Sequence, residues 1–153
     1  MTQNRYDPRS IAQKSQELSA AEKVIPRILL AEDDDEMRRL LAHALLAAGY
    51  DIIPCRDGMD LITHFDSFII GKGTLDFDLI ISDILMPGLT GLEIFEDLHE
   101  CKGFPPTILI TAFGDESTRR KAEQLGVAAM FDKPFEIDDL LSKVREIVPP
   151  NTA

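Results

Sequence analysis

Five polar side chains stand where they could act together, each after an apolar run that predicts a β-strand. In chain order they are Glu32, Asp33, Asp83, Thr111 and Lys133. Three carboxylates held close together repel one another and raise one another's pKa unless a cation balances their charge. Oxygen ligands without histidine or cysteine favour a hard ion, and Mg²⁺ commonly takes one or two carboxylates together with water and phosphate oxygens. The carboxylates therefore predict a Mg²⁺ site.

The same residues have the types that phosphoryl transfer needs. A carboxylate can attack phosphorus and become an acyl phosphate. The transfer then depends on positioning and on neutralising the charge of the phosphoryl oxygens. Lys133 and the metal would supply positive charge, and the Thr111 hydroxyl would donate a hydrogen bond. Backbone amides near Leu85 and Ala112 would provide further donors.

Each of these residues also has an ordinary structural explanation. An acidic residue after a strand often caps the next helix, and Asp34 or Asp35 is expected to cap the first helix. Lys133 alone would be a surface lysine, Thr111 alone a loop residue and Asp83 alone a turn residue. Their joint placement at the ends of four predicted strands favours the functional interpretation.

The elements that position these residues follow from the apolar pattern. Short apolar runs predict strands over residues 28–31, 51–55, 78–82, 107–110 and 127–131. Helical spacing and turn residues predict helices over residues 37–48, 58–70, 92–101, 116–125 and 137–147. Parallel strands need long crossover connections, so this alternation predicts an α/β fold with one five-stranded parallel sheet and helices on both faces.

Two strands can be placed within that sheet. Pro54 lacks an amide hydrogen, which predicts that the second strand lies at a sheet edge. The third strand is continuously apolar, as a strand covered on both faces must be. Ligands of such open sheets bind beyond the carboxyl ends of the strands, so the five polar residues are expected to converge at one rim.

The composition excludes several classes of function. The 153 residues carry 16 basic and 27 acidic side chains, and the net charge of −11 disfavours binding to nucleic-acid phosphates. No run approaches the roughly 20 apolar residues of a membrane span, and the N-terminus lacks a secretory signal, so a cytoplasmic location is expected. The cysteines and histidines show no zinc-ligand spacing, and ordinary structural roles are expected for Cys55, Cys101, His43, His64 and His99.

These residues give the sequence a resemblance to the receiver domain of two-component response regulators. The resemblance is carried by RILLAEDD at 27–34 with MRR at 37–39, SDILMPG at 82–88 with Gly91, ILITA at 108–112 and DKPF at 132–135. The resemblance covers about residues 27–148, and this part of the chain is similar to the single receivers of the chemotaxis type. The resemblance implies a doubly wound, flavodoxin-like sheet with strand order 2-1-3-4-5.

The resemblance also implies roles for the acidic residues. Asp83 would be the phosphoacceptor and a Mg²⁺ ligand. Asp33 would bind Mg²⁺ directly, and Glu32 would act through the water network of the site. The backbone carbonyl of Leu85 would be a further metal ligand.

Further roles follow for the other strand-end residues. Lys133 would contact the phosphoryl group and precede a cis peptide bond to Pro134. Thr111 would swing inward on phosphorylation, together with a switch residue that is often aromatic in the family. Met130 occupies that switch position here, so a thioether replaces the usual ring. The next residue, Phe131, is expected to point to the opposite side and join the core.

Two bulky apolar residues border the predicted phosphorylation site. Leu85 lies two residues after Asp83, and Phe113 lies two residues after Thr111. Both should hinder a water molecule from aligning behind phosphorus. We therefore expect a comparatively long-lived acyl phosphate.

The chain is expected to comprise a mobile tail (1–26), a receiver domain (27–148) and a short C-terminal tail (149–153). It is expected to accept a phosphoryl group from a sensor histidine kinase or a histidine phosphotransfer domain and to switch a protein-binding face over residues 116–148. It would promote only its own phosphorylation and dephosphorylation, with no membrane or nucleic-acid partner. The alternatives are a phosphorylation-independent binding module of this fold, a receiver fragment of a larger regulator, and a small-substrate phosphatase, which would usually carry Asp-x-Asp.

Overall fold

Strands and helices alternate along the chain in the predicted order. The structure is a computed structural model that describes residues 25–65, 76–86, 90–112 and 114–150. Its strands are β1 (Arg27–Ala31), β2 (Asp51–Cys55), β3 (Leu79–Asp83), β4 (Thr107–Thr111) and β5 (Ala129–Asp132). Its helices are α1 (Asp35–Ala47), α2 (Gly58–Thr63), α3 (Gly91–Leu98), α4 (Glu116–Leu125) and α5 (Ile137–Ile147). Within these ranges, no helix has both the length and the apolar character needed to cross a membrane.

The five strands form one parallel sheet in the order β2-β1-β3-β4-β5. This confirms the doubly wound, flavodoxin-like fold and the strand order that the resemblance implies. The predicted edge position of the second strand is also confirmed, because β2 pairs with β1 and ends the sheet. Pro54 lies opposite Leu30 on that edge strand. The carboxyl ends of all five strands therefore meet at one rim.

Both faces of the sheet are covered by helices. On one face Ile28 and Leu30 belong to a hydrophobic cluster with α1 and α5. On the other face Leu29 and Ala31 belong to a cluster with α2 and α3, and Leu109 packs with α4. Because side chains alternate along a strand, burial on both faces requires the continuous apolar runs seen in the sequence.

A capping residue separates the first helix from the rim. Asp34 Oδ1 accepts a hydrogen bond from the backbone N–H of Met37 (2.9 Å), which confirms one of the two expected caps. The helix α1 therefore begins at Asp35, two residues before the predicted start. Since Asp34 serves as the cap, Glu32 and Asp33 are the acidic residues left at the rim.

Several element boundaries differ from the prediction, among them the start of β5, the end of α3 and the end of β3. The strand β5 begins at Ala129 rather than 127, because the backbone N–H of Val127 donates to Ala122 O at the end of α4 (3.2 Å). The helix α3 ends at Leu98, three residues early, and Gly103 soon takes a left-handed backbone with φ 86°. The strand β3 extends one residue further than predicted and includes Asp83.

Several predictions fall outside the described residues. They concern residues 1–24 of the tail, the end of the predicted helix over 66–70, the following turn at 71–73, the segment 87–88, Phe113 and residues 151–153. The predicted helix over 58–70 is shorter in the structure, because α2 ends at Thr63 with His64 as its C-cap and the described residues 64 and 65 form a turn.

Candidate functional site

The acidic residues are held at the rim by the ends of two neighbouring strands. The backbone N–H of Glu32 donates to Cys55 O (3.0 Å), so the chain continues in strand direction for one residue after β1. Asp83 is the last residue of β3, which pairs with β1 on one side and β4 on the other. Both residues are buried, with Glu32 2% and Asp83 4% exposed as whole residues, whereas Asp33 is exposed.

Lys133 joins these carboxylates from the far side of the rim. Its backbone N–H donates to Thr111 O (2.8 Å), which fastens the residue after β5 to the end of β4. The Lys133 ammonium lies 2.7 Å from Glu32 Oε1 and 2.8 Å from Asp83 Oδ2. The peptide bond to Pro134 is cis, as predicted. One ammonium therefore bridges the ends of β1 and β3.

The charges of this group are unbalanced. Burial raises the pKa of Glu32 to about 7, and the hydrogen bond and negative charge of Asp83 act in the same direction. Burial alone would lower the pKa of Lys133, but its hydrogen bonds and charge attraction to Asp83 and Glu32 raise it. The ammonium is thus held in its charged form. It is a single positive charge facing three carboxylates.

The arrangement fits a divalent cation. Carboxylate oxygens of Glu32, Asp33 and Asp83 all lie within 4.8 Å of one another. Glu32 Oε2 is buried without a hydrogen-bond partner, which is costly unless another group satisfies it. An all-oxygen ligand set at an accessible rim suits Mg²⁺, whose remaining ligands are commonly water and phosphate oxygens. Asp33 provides the exposed side of this set.

The remaining predicted site residues lie around this centre. The backbone N–H of Leu85 donates to Asp83 Oδ1 (3.2 Å), and its side chain is half exposed. Thr111 ends β4 and is 1% exposed. Met130 packs with Leu109 in the cluster under α4. The roles predicted for the Leu85 carbonyl and for Thr111 and Met130 in switching stay predictions.

The strand β5 sends its neighbouring side chains to opposite faces, as expected. Phe131 packs against the cluster that contains α1 and α5, which confirms its predicted place in the core. Its ring centroid lies 5.7 Å from that of Phe135. Met130 is on the face that α4 covers. The predicted switch position therefore lies on the sheet face that α4 covers, opposite Phe131.

Two contributions to the site were not predicted from the sequence. The Arg38 guanidinium donates to Glu32 O (2.8 Å) and pairs with Asp35, so α1 supports the backbone of the acidic turn. A Cβ atom at Gly91 would lie 2.6 Å from Ser82 Oγ and 2.7 Å from Asp83 O. Only glycine allows α3 to begin so close to the end of β3. Both residues lie in the motif segments, but nothing in their spacing indicates these contacts.

Comparison with known proteins decides the family. The family model of the response regulator receiver domain matches residues 28–145, which is most of the chain. The chain belongs to this family. Receiver domains accept phosphoryl groups from histidine kinases and generally bind Mg²⁺. The buried acidic rim with its lysine lies within the matched residues and is the candidate site of this receiver domain.

Individual relatives differ in length from this receiver domain. The response regulator receiver protein CpdR of Brucella abortus is 32% identical over 125 residues, which are 80% of this chain and 96% of CpdR. The transcriptional regulatory protein TcrA of Mycobacterium tuberculosis is 29% identical over 121 residues, which are 79% of this chain but only 45% of TcrA. The chain therefore spans less than half of TcrA.

A solved structure shows the same fold. The chemotaxis protein CheY4 of Vibrio cholerae superimposes with a TM-score of 0.68 at 24% identity, over 82% of this chain and 100% of CheY4. At this identity the likeness concerns the fold alone. The fold of this receiver domain is therefore CheY-like.

Proposed function

We propose that this receiver domain accepts a phosphoryl group on Asp83 from the phosphohistidine of a sensor histidine kinase or a histidine phosphotransfer domain. The observation that supports this most directly is the ammonium of Lys133 held between buried Glu32 and Asp83, with Glu32 Oε2 left unpartnered. The domain would promote only its own phosphorylation and dephosphorylation. We also propose a cytoplasmic location, which membership of the receiver-domain family supports.

The chain's own residues would carry most of the transfer. A carboxylate oxygen of Asp83 forms a bond to phosphorus while the bond between phosphorus and the donor's imidazole nitrogen breaks, and the imidazole leaves with that electron pair. Glu32, Asp33 and Asp83 would hold Mg²⁺, which neutralises negative charge on the phosphoryl oxygens. The Lys133 ammonium would bind a phosphoryl oxygen, and Thr111 would donate its hydroxyl hydrogen.

The consequence of phosphorylation would pass through α4 to a protein-binding face over residues 116–148. Ala122 is the buried residue of this ten-residue helix, so little apolar packing fixes its position. Its polar side chains reach two neighbours: Lys121 Nζ lies 3.0 Å from Glu96 Oε2, and Arg119 pairs with Asp132 next to the site. A phosphoryl group beside Thr111 adds charge at one end of this arrangement.

Acetyl phosphate with Mg²⁺ is expected to place one phosphoryl group on the full chain, because Asp83 and the balancing Lys133 are already in contact. Intact-mass spectrometry measures the incorporation. Asp83→Asn, which keeps the shape of the side chain, is expected to incorporate none, and Asp97→Asn on α3 serves as the control with full incorporation. Unchanged incorporation in Asp83→Asn would contradict the proposed acceptor. No incorporation in the parent chain would favour the phosphorylation-independent alternative.

Leu85→Asn is expected to shorten the lifetime of the acyl phosphate several-fold. The half-exposed leucine side chain follows Asp83 by two residues and offers water no hydrogen-bond partner, whereas an amide at this position can hold a water molecule near phosphorus. The decay of phosphorylated protein in Mg²⁺ buffer measures the effect. Leu85→Met keeps the apolar character and should decay like the parent chain. Equal rates for all three proteins would refute the expectation of a long-lived state.

A further inference from the structure

A second group of ligand-type side chains lies beside the acidic rim. The ligand atoms of Cys55, Asp60 and His64 all lie within 4.8 Å of one another. Cys55 is fully buried at the end of β2, and the other two side chains are half-buried. The sequence predicts no metal role for Cys55 or His64, because their spacing matches no common zinc pattern. The turn between β2 and α2 nevertheless brings them together.

We propose that Cys55, Asp60 and His64 form a Zn²⁺ site, distinct from the Mg²⁺ site of the rim. Thiolate sulfur, imidazole nitrogen and carboxylate oxygen are the ligand types that Zn²⁺ takes in proteins. Three protein ligands leave the fourth tetrahedral position for water or for a group from another molecule. Mg²⁺ prefers oxygen ligands alone, so the two sites select different ions.

The sulfur ligand is fixed by the sheet. Cys55 lies opposite Ala31 in the register of β2 with β1, and its carbonyl accepts the backbone N–H of Glu32 (3.0 Å). The thiol is part of the hydrophobic cluster under α2 and α3. Burial raises the pKa of the Cys55 thiol to about 12, with the charge of Asp60 adding to the effect. Metal binding would therefore release the thiol proton.

The other two ligands share one side of α2. Asp60 lies in α2 and His64 is its C-cap residue, which still has right-handed helical backbone angles, so the spacing of four residues places their side chains next to each other. Asp60 Oδ2 accepts the backbone N–H of Arg56 (3.1 Å), a contact that orients the carboxylate. The His64 and Phe77 rings pack nearly perpendicular to each other, with centroids 5.9 Å apart. Bonds of about 2.0–2.3 Å bring tetrahedral ligand atoms to about 3.5 Å from one another, so small rotations of Asp60 and His64 towards the fixed sulfur would complete the site.

A cobalt titration of the full chain tests the proposal. The protein is first reduced, freed of metal with a chelator and then saturated with Mg²⁺. Co²⁺ is expected to bind one equivalent and to give a thiolate-to-cobalt charge-transfer band in the near ultraviolet, which an all-oxygen site cannot produce. One equivalent of Zn²⁺ should abolish the band. A parent chain without this band would overturn the proposal.

Matched variants assign the ligands. Cys55→Ser should lose the band, whereas Cys101→Ser, which changes the exposed cysteine, should keep it. His64→Gln should weaken Co²⁺ binding by about tenfold or more, whereas His43→Gln on the exposed side of α1 should not. If Cys55→Ser does not fold, the comparison of His64→Gln with His43→Gln still tests the site. A band that survives in Cys55→Ser, or equal Co²⁺ affinity in the two histidine variants, would overturn the site.

Discussion

Lys133→Met is expected to lower the free energy of unfolding by about 3 kcal/mol at pH 8 without Mg²⁺, because two buried carboxylates lose their shared cation. The ammonium lies 2.7 Å from Glu32 Oε1 and 2.8 Å from Asp83 Oδ2, and these two side chains are only 3% and 5% exposed. Methionine keeps an unbranched chain of similar length, so the substitution mainly removes the charge. Urea unfolding measures the difference.

The matched control for this variant is Lys143→Met on α5. Lys143 Nζ pairs with Glu146 Oε2 at 3.3 Å, but that glutamate is 70% exposed. Exposed pairs contribute less than about 1 kcal/mol because water screens them. The loss in Lys133→Met should also shrink at pH 5, where Glu32 takes up a proton and the buried negative charge falls. Similar losses in both variants would show that the buried ammonium has no special role.

The fold and the residues that form the candidate site could be predicted, because both follow from patterns along the chain. Apolar runs alternating with helical spacing specify a parallel sheet, and the parallel arrangement sends every strand end to one rim. Asp83, Thr111 and Lys133 meet there for that reason. The edge position of β2 was also predictable, since Pro54 cannot donate to a second neighbour. These patterns leave the order of the other strands open, and only the resemblance to receiver domains predicted it.

How deeply each side chain of the site is buried could not be predicted from the sequence. Glu32 and Asp33 follow the same strand, but the structure buries the first and exposes the second. The difference arises because the backbone N–H of Glu32 still bonds to β2, which keeps this residue in line with the strand. Asp33 lies beyond that bond, in the turn before α1. A pattern that only counts residues after a strand does not contain this information.

Side-chain contacts between different elements could not be predicted from the sequence either. Cys55 ends a strand, whereas Asp60 lies in α2 and His64 follows the last residue of that helix, and their approach depends on the turn at 56–57. The bond from Arg38 to Glu32 O likewise depends on the angle at which α1 leaves the sheet. Side-chain contacts of this kind depend on how the elements pack against one another, not on the apolar periodicity of the sequence.

Glu32→Gln is expected to be more stable than the parent chain by about 3 kcal/mol at pH 8 in the absence of Mg²⁺. The pKa of Glu32 rises from 4.5 to about 7 on folding, chiefly through burial. A raised folded-state pKa means that the stability linked to the protonated carboxyl is fully present below about pH 4.5 and is lost as the pH rises through about 7. The amide of glutamine resembles the protonated carboxyl and does not ionise, so the variant avoids this loss.

Urea unfolding from pH 4 to pH 8 should therefore give two curves that coincide in acid and separate as the pH rises. Glu123→Gln, on the exposed side of α4, is the control and should follow the parent chain throughout. Mg²⁺ should stabilise the parent more than Glu32→Gln at pH 8, because a cation offsets the charge that the amide lacks. Parallel curves for Glu32→Gln and the parent would mean that Glu32 stays ionised in the folded protein across this range. In that case Lys133 alone would balance the rim, and the unpartnered Glu32 Oε2 would no longer argue for a metal.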